Sequence, residues 1–523
     1  MMSTDKRVVD SIVDAFARFN EYVRENVKCP EIPKHPLDEE TQSRIKELKS
    51  MEDDEYAIFK KVDEIKLFWK ELVEKAIICL RYFDKREPFL ENSQKKPQAY
   101  GIENLEKYFD NYSAFENLLY GGSRYYRDHV IHVFRVWLLG VELLLKDGCR
   151  HLEAIKVSGL ATENALEKLS IWTLIALTHD LGYPLEKALE IIEKTKDMMK
   201  SFVVDPVVSM DLSFTGVQNS MNDYVLRFIS SKMVKDKKNV GSKEDAVAVE
   251  KGKNENKTAD TDIETDDEKK EYVARLQPKY YFKFQKSLEH NEHGVISALI
   301  IYKLLIYFLE SDYSINEDYH FGEEDCRQFY IRREILRAIT SHTCHDIYQQ
   351  DAFNFSFLLI LCDDAQEWGR KYLSELYVDK GEKYAYRGIE FGTDKATVDG
   401  KEKDILVCTF TDKYELDSVT AIEDVLKRFR QQSKTYRDVF RDGQDTKNRN
   451  FKFVRILKID VKKSTSKEYI VTLTVSVNEQ TCITAKREDD VAIGSTEEFY
   501  KAFYKIFNGA EQCEEDKLLQ YKL

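Results

Sequence analysis

Trp172-Thr-Leu-Ile-Ala-Leu-Thr-His179-Asp180-Leu-Gly182-Tyr-Pro184 carries an apolar helical run that ends on an imidazole and a carboxylate side by side. Gly182 and Pro184 stop the run. Neighbouring side chains on a helix diverge, so this pair shares one ion only where the helix ends or where the ion lies between them. The dipeptide is odd as core packing and sensible as part of a metal site.

The remaining histidines extend that reading. Seven of the ten fall in four clusters, at 129/132, 179, 290/293 and 342/345. Three clusters are pairs spaced by three, on or near a helical pattern, so both members share one face. Burial of each imidazole alone would require a separate partner for every ring, whereas one shared site satisfies them together. Mixed imidazole and carboxylate ligation suits Mn, Fe, Zn or Ni, with Mg admitted where oxygen ligands dominate. One or two divalent ions are expected.

Around these clusters the period is helical. Residues 5–28 carry Val8, Ile12, Phe16, Phe19 and Val23 at helical spacing, and residues 38–83 read as one long or two shorter helices. A less regular stretch to about Asn104 and a helix to Tyr120 complete a scaffold over 1–120. Helices follow from Tyr126 to about Lys146, from about Glu163 through the His-Asp pair, and over Glu186–Lys200. Residues 232–272 hold no aromatic side chain before Tyr272 and are rich in Lys, Asp, Glu and Asn, so they read as a disordered insertion. Past it come an apolar helix after His293, a loop to about Arg327, a helix carrying His342, and a buried helix ending in Asp363-Asp364. From about Tyr384 the period changes to β, with strands at 404–411, 451–461 and 469–477 and helical patterns at 419–433 and 496–507. The expected class is mainly α: a helical metal-binding domain over 121–375, preceded by the helical extension and followed by an α+β domain over 376–523.

Composition narrows the partners. A net charge of −14 argues against a surface for general nucleic-acid binding. Nine scattered cysteines with no Cys-x-x-Cys spacing read as a reducing compartment and argue against a structural zinc. No window approaches eighteen uncharged apolar residues, and the N-terminus leads into an amphipathic helix rather than a signal-peptide core. A soluble cytoplasmic protein is expected, with homo-oligomerisation left open.

In order, His132 … His179-Asp180 … His293 … His342 … Asp363 resembles the HD-domain superfamily of metal-dependent phosphohydrolases. His132-Val-Phe-Arg-Val resembles its first-histidine helix, Ala-Leu-Thr-His179-Asp180-Leu-Gly its defining turn, His293-Gly-Val-Ile-Ser its middle helix, and Leu-Leu-Ile-Leu-Cys-Asp363 its last. The likeness covers residues 121–372 and does not select a branch. His132 is preferred to His129, although both have a valine four residues on; His293 is preferred to His290, His342 to His345, and Asp363 to Asp364.

The resemblance implies a helical bundle and, with two extra histidines, a dinuclear site. Asp180 would bridge, with His132, His179 and Asp363 on one ion and His293 and His342 on the other. The long interval from Asp180 to His293 departs from the pattern, and no lysine follows the turn, so a cyclic-dinucleotide substrate is not implied. The expected activity is hydrolysis of a phosphoester or phosphodiester in a nucleotide or related small molecule, by metal-activated water. Asp180 would orient that water, His129, His290 or His345 would protonate the leaving oxygen, and Arg127, Arg135 or Arg370 would meet the phosphate charge. The alternatives are a dinuclear-iron oxygenase of the same fold and a non-catalytic nucleotide-binding sensor or scaffold.

Overall fold

The computed structural model describes residues 4–29, 31–52, 57–84, 101–122, 128–160, 164–200, 217–235, 272–304, 319–344, 346–347, 351–366, 368, 387–398, 401–416, 451–461, 471–478, 480–487 and 520–522. The chain is mainly helical.

Its centre is the quoted run, α6 (Ala165–Thr178), in which every residue is buried. A helix apolar all round can only lie inside other elements. Its start is fixed by a capping box: Asn164 Oδ1 accepts from the Glu167 N–H at 3.0 Å, and Glu167 Oε2 accepts from the Asn164 N–H at 3.2 Å. Arg327 forms an ion pair with the buried Glu167.

Helices pack around α6 because each brings an apolar stripe. In α1 (Thr4–Asn26) that stripe is Val8, Val9, Ile12, Phe16, Phe19 and Val23, and it lies on α5 (His129–Ala154). The 38–83 segment is two helices, α2 (Glu39–Leu48) and α3 (Val62–Phe83), with a 3₁₀ turn at Ala57–Lys61 between them. The α3 helix packs on α6, where Trp69 Nε1 donates to the Leu177 carbonyl at 2.7 Å. The next helix, α4 (Ile102–Gly122), stacks Phe109 on Trp69 with ring centroids 3.8 Å apart. Asp128 caps α5, its Oδ1 accepting from the Ile131 N–H at 2.9 Å. As expected, α5 breaks near Lys146: Asp147, Gly148 and Cys149 take φ of 53°, 72° and 68° before a short helical continuation.

Beyond α6 come α7 (Tyr183–Met199), which begins earlier than expected because Pro184 suits a first helical turn, and α8 (Val217–Ser230). The 232–272 segment expected to be disordered has structured stems. Strands β1 (Ser231–Lys235) and β2 (Tyr272–Leu276) pair antiparallel, with Met233, Val273 and Ala274 buried. Residues 236–271 lie outside the described residues. Then follow α9 (Pro278–Glu289), missed in the sequence, α10 (His293–Leu304), β3 (His320–Phe321), α11 (Glu323–Ser341) and α12 (Phe355–Ala365). With α5 and α6, α10–α12 form the bundle that carries His129, His132, His179, His293 and His342.

The C-terminal region holds a six-stranded sheet in sequential order, β4 (Arg387–Val398), β5 (Lys401–Leu416), β6 (Phe451–Val461), β7 (Val471–Asn478), β8 (Gln480–Arg487) and β9 (Gln520–Lys522). All neighbours are antiparallel except β5 and β6. A parallel pair cannot be joined by a tight turn; the intervening residues 417–450, with the 419–433 helical pattern, lie outside the described residues, as do 496–507. The β4 strand packs on α5, and Ile389, Phe391 and Cys408 join the same buried cluster as the helices.

Two buried histidines away from the clusters set an acid limit on stability. Burial holds His35 down at about 4, against the pull of Asp38, and burial with nearby Lys168 holds His151 at about 3. Each is depressed from the unfolded value near 6.5, so the unfolded chain takes the proton first. Stability is full above that value and falls as pH drops below it, by about 2 kcal/mol per histidine between pH 7 and 5. Denaturant midpoints at the two pH values should show this loss, and His151→Gln should shrink it; an unchanged loss in the variant would discard the assignment.

Candidate metal centre

His179 closes α6 as its C-cap, and Asp180 starts the turn into α7. The last carbonyls of a helix lack partners within it, and His179 uses one: its Nδ1–H donates to the Ala176 carbonyl at 2.8 Å. This leaves Nε2 with a lone pair, and that atom is buried with no hydrogen-bond partner among the described residues. An orphaned buried acceptor pointing into a ring of histidines and carboxylates is the donor a cation would take up.

His342 repeats the device at the end of α11, its Nδ1 lying 2.6 Å from the Ile339 carbonyl. His293, the first residue of α10, turns Nδ1 to Glu186 Oε2 at 2.7 Å. His132, inside α5, turns Nδ1 to Gln366 Oε1 at 2.6 Å. In all four rings Nδ1 is taken and Nε2 faces one centre, the arrangement in which an outer partner fixes tautomer and ring orientation for a metal.

Asp180 occupies that centre with its two oxygens facing different ways. Oδ2 lies 3.5 Å from His132 Nε2 and 3.5 Å from His179 Nε2; Oδ1 lies 3.3 Å from His293 Nε2 and 3.7 Å from His342 Nε2. Asp363 Oδ1 adds to the first group, 2.9 Å from His132 Nε2 and 3.9 Å from His179 Nε2. Two overlapping sets have donor atoms close enough to share an ion: His132, His179 and Asp363, and His179, Asp180 and His342. His293 and His342 bring their Nε2 atoms within 3.1 Å, a distance that needs a proton or a cation between two rings whose Nδ1 atoms are already taken. Both observations fit a cation site.

The charges agree. Burial alone would raise Asp180, yet the surrounding His179, His293 and His342 hold it well below the carboxylate range. Burial opposes ionisation of Asp363 too, but His132 holds it at about 2. Burial opposes a charge on His293, and Asp180 and Glu186 outweigh it and raise the ring to about 10. His179 goes the other way, pushed by burial down to about 4 against Asp180 and Asp363. The centre thus holds ionised carboxylates beside the neutral His179, while those carboxylates draw His132 and His293 toward the protonated form, protons that a divalent ion would have to displace.

Two glycines let the elements converge. A Cβ on Gly182 would lie 2.4 Å from the His293 carbonyl oxygen and 2.9 Å from the Ser297 nitrogen, and the Gly182 N–H donates to Ser297 Oγ at 2.8 Å. A Cβ on Gly294 would lie 2.7 Å from the Ile339 carbonyl, the one that holds His342. Gly182→Ala must push α10 away from the turn. It should cost about 1–3 kcal/mol in a denaturant melt and weaken metal uptake; unchanged values for both would show that the close approach carries nothing.

The mouth is marked by exposure. Asp363, Glu186 and His293 side chains are 29%, 28% and 18% exposed, whereas His132, His179 and His342 are at most 3%. Tyr183 packs against His129 and His293, with ring centroids at 4.0 and 5.3 Å, and Lys187 Nζ sits 5.2 Å above it.

The remaining candidates are placed as follows. His129 is buried at the edge of the group, its Nε2 4.0 Å from Asp180 Oδ2. His290 is exposed at the end of α9. Arg135 is corrected as a phosphate contact: it is buried, with Nε and Nη2 donating to Asp5 at 2.9 and 2.6 Å and Nη1 to the Trp368 carbonyl at 2.9 Å. His345, Arg127 and Arg370 lie outside the described residues. Sequence reasoning missed Glu186 and Gln366, the outer partners of His293 and His132.

Comparison with protein-family models, curated proteins and solved structures returned no match.

Proposed function

We propose that the chain is a metal-dependent phosphohydrolase of the HD type, cleaving a phosphoester or phosphodiester bond in a nucleotide or related small molecule. The observation that supports it best is the division of Asp180, whose Oδ2 faces His132 and His179 while Oδ1 faces His293 and His342. His132, His179, Asp363 and Asp180 would hold one divalent ion, and His293, His342 and Asp180 a second. When bound, such ions lower the pKa of a coordinated water and neutralise charge on phosphate oxygens. Four imidazoles against two carboxylates favour Mn, Fe, Zn or Ni over Mg.

The chain's own residues supply the rest. Asp180 stays ionised at neutral pH, so it orients the attacking water rather than keeping its proton. His129 reaches the same carboxylate without belonging to either group of metal donors, which suits it to protonate the leaving oxygen. Lys187 stands beside Tyr183 at the mouth, paired with Glu186 and Glu190 at 3.4 and 3.0 Å, and would exchange those partners to meet a phosphate.

The test is a panel of phosphomonoesters, phosphodiesters and nucleotides offered to the chain after loading with each of Mn, Fe, Ni, Zn and Mg. Metal-dependent phosphate release by the wild type, lost in His179→Ala, supports the reading. Equal background in both proteins ends it, and oxygen consumption by an iron-loaded chain without phosphate release transfers the site to oxygenase chemistry.

A further inference from the structure

We infer that Gln366 is the positioning residue of His132, and that the first turn of α1 holds Gln366 in place through a buried hydrogen-bond chain. The inference rests on the reading of His132 as a metal ligand.

His179 and His342 sit at helix ends and use free carbonyls of their own helices. His132 lies inside α5, where the carbonyls behind it are taken by the helix. Its Nδ1 partner must come from elsewhere, and it comes from the residue that follows α12. Gln366 is buried, with Oε1 2.6 Å from His132 Nδ1 and Nε2 donating to the Trp368 carbonyl at 2.9 Å. Because that carbonyl only accepts, the amide nitrogen must face it, and the amide oxygen must face His132. An acceptor at Nδ1 keeps a proton there. His132 is thereby oriented with Nε2 toward Asp363 and Asp180, the atom with which it would hold a cation in place of a proton.

The chain continues outward. The same Trp368 carbonyl accepts from Arg135 Nη1 at 2.9 Å, and Arg135 grips both carboxylate oxygens of Asp5 at 2.9 and 2.6 Å. Trp368 Nε1 closes the ring by donating to Asp5 Oδ1 at 2.9 Å. Asp5, Arg135, Trp368 and Gln366 are all buried. The amino-terminal helix thereby reaches the metal centre through polar contacts as well as packing.

The probe is Co²⁺, read by its visible absorption and by competition with a chelator, alongside circular dichroism of the metal-free proteins. Gln366→Met keeps the volume and removes both hydrogen bonds; its Co²⁺ affinity should fall about 10–100-fold with an altered spectrum. Gln366→Glu keeps an acceptor for His132 but loses the donor to the Trp368 carbonyl, so its Co²⁺ affinity should fall less than that of Gln366→Met, a partial rescue that simple packing would not give. Asp5→Asn, remote from every ligand, should shift the spectrum in the same direction as Gln366→Met and serves if that variant misfolds. Wild-type affinity and spectrum in folded Gln366→Met, or in folded Asp5→Asn where Gln366→Met misfolds, overturn the positioning role alone. A wild type that takes up no Co²⁺ overturns the metal reading with it.

Discussion

Asp180→Ala is expected to lower kcat/KM by about 10³–10⁴-fold and to strip metal from the chain. The estimate follows from the several kcal/mol that metal-assisted charge stabilisation supplies, at about 1.4 kcal/mol per factor of ten. Among the described residues, Asp180 is the one side chain whose two oxygens face both histidine groups, so alanine should disable both at once. Asp180→Asn separates the two sides. One amide oxygen remains, and the amide nitrogen, a donor, repels a cation on the side it faces. It should keep one ion and lose the other, read by metal analysis beside activity. Full metal content and turnover in Asp180→Ala would remove the carboxylate from the centre of the account.

The second large effect lies far from the mouth. Asp5→Ala leaves the buried Arg135 guanidinium without its counter-charge and the Trp368 indole N–H without its acceptor. Breaking a buried pair by removing one partner costs about 3–5 kcal/mol, because the charge that remains is not solvated. An exposed pair is the control: Lys60 and Glu52, 67% and 70% exposed, should cost less than about 1 kcal/mol when Lys60 becomes alanine. Denaturant melts of the two variants measure the contrast. A loss below about 1 kcal/mol in Asp5→Ala would mean that water reaches Arg135.

What the sequence revealed follows from how the groups are held. His179, His342 and His293 were legible because each stands at a helix terminus that the pattern of apolar residues, Gly182 and Gly294 announces. Of the 290/293 pair, His290 is exposed and His293 faces Asp180. Glu186 and Gln366 were not legible because their partners lie 107 and 234 residues away, and locally they read as an ordinary charged helix face and a loop amide. Arg135 misled for the same reason: beside His132 it resembled a phosphate contact, while its partner Asp5 stands 130 residues earlier. The 232–272 segment was judged on composition, which dilutes the alternation of Met233 and Val234 against Val273 and Ala274 that builds the hairpin stems. The missed α9 mixes Tyr280, Tyr281 and Phe282 with lysines, and aromatic residues weaken a helical signal that Pro278 in fact starts well.

The most direct test is metal content. Wild type and His179→Ala are stripped with a chelator, reloaded with Mn, Fe, Ni, Zn or Mg, passed through a desalting column and measured by mass spectrometry. The wild type should retain one or two ions per chain of at least one of the transition metals, and His179→Ala should retain markedly less of the same ion. A wild type that emerges with no metal in any loading would contradict the account at its centre.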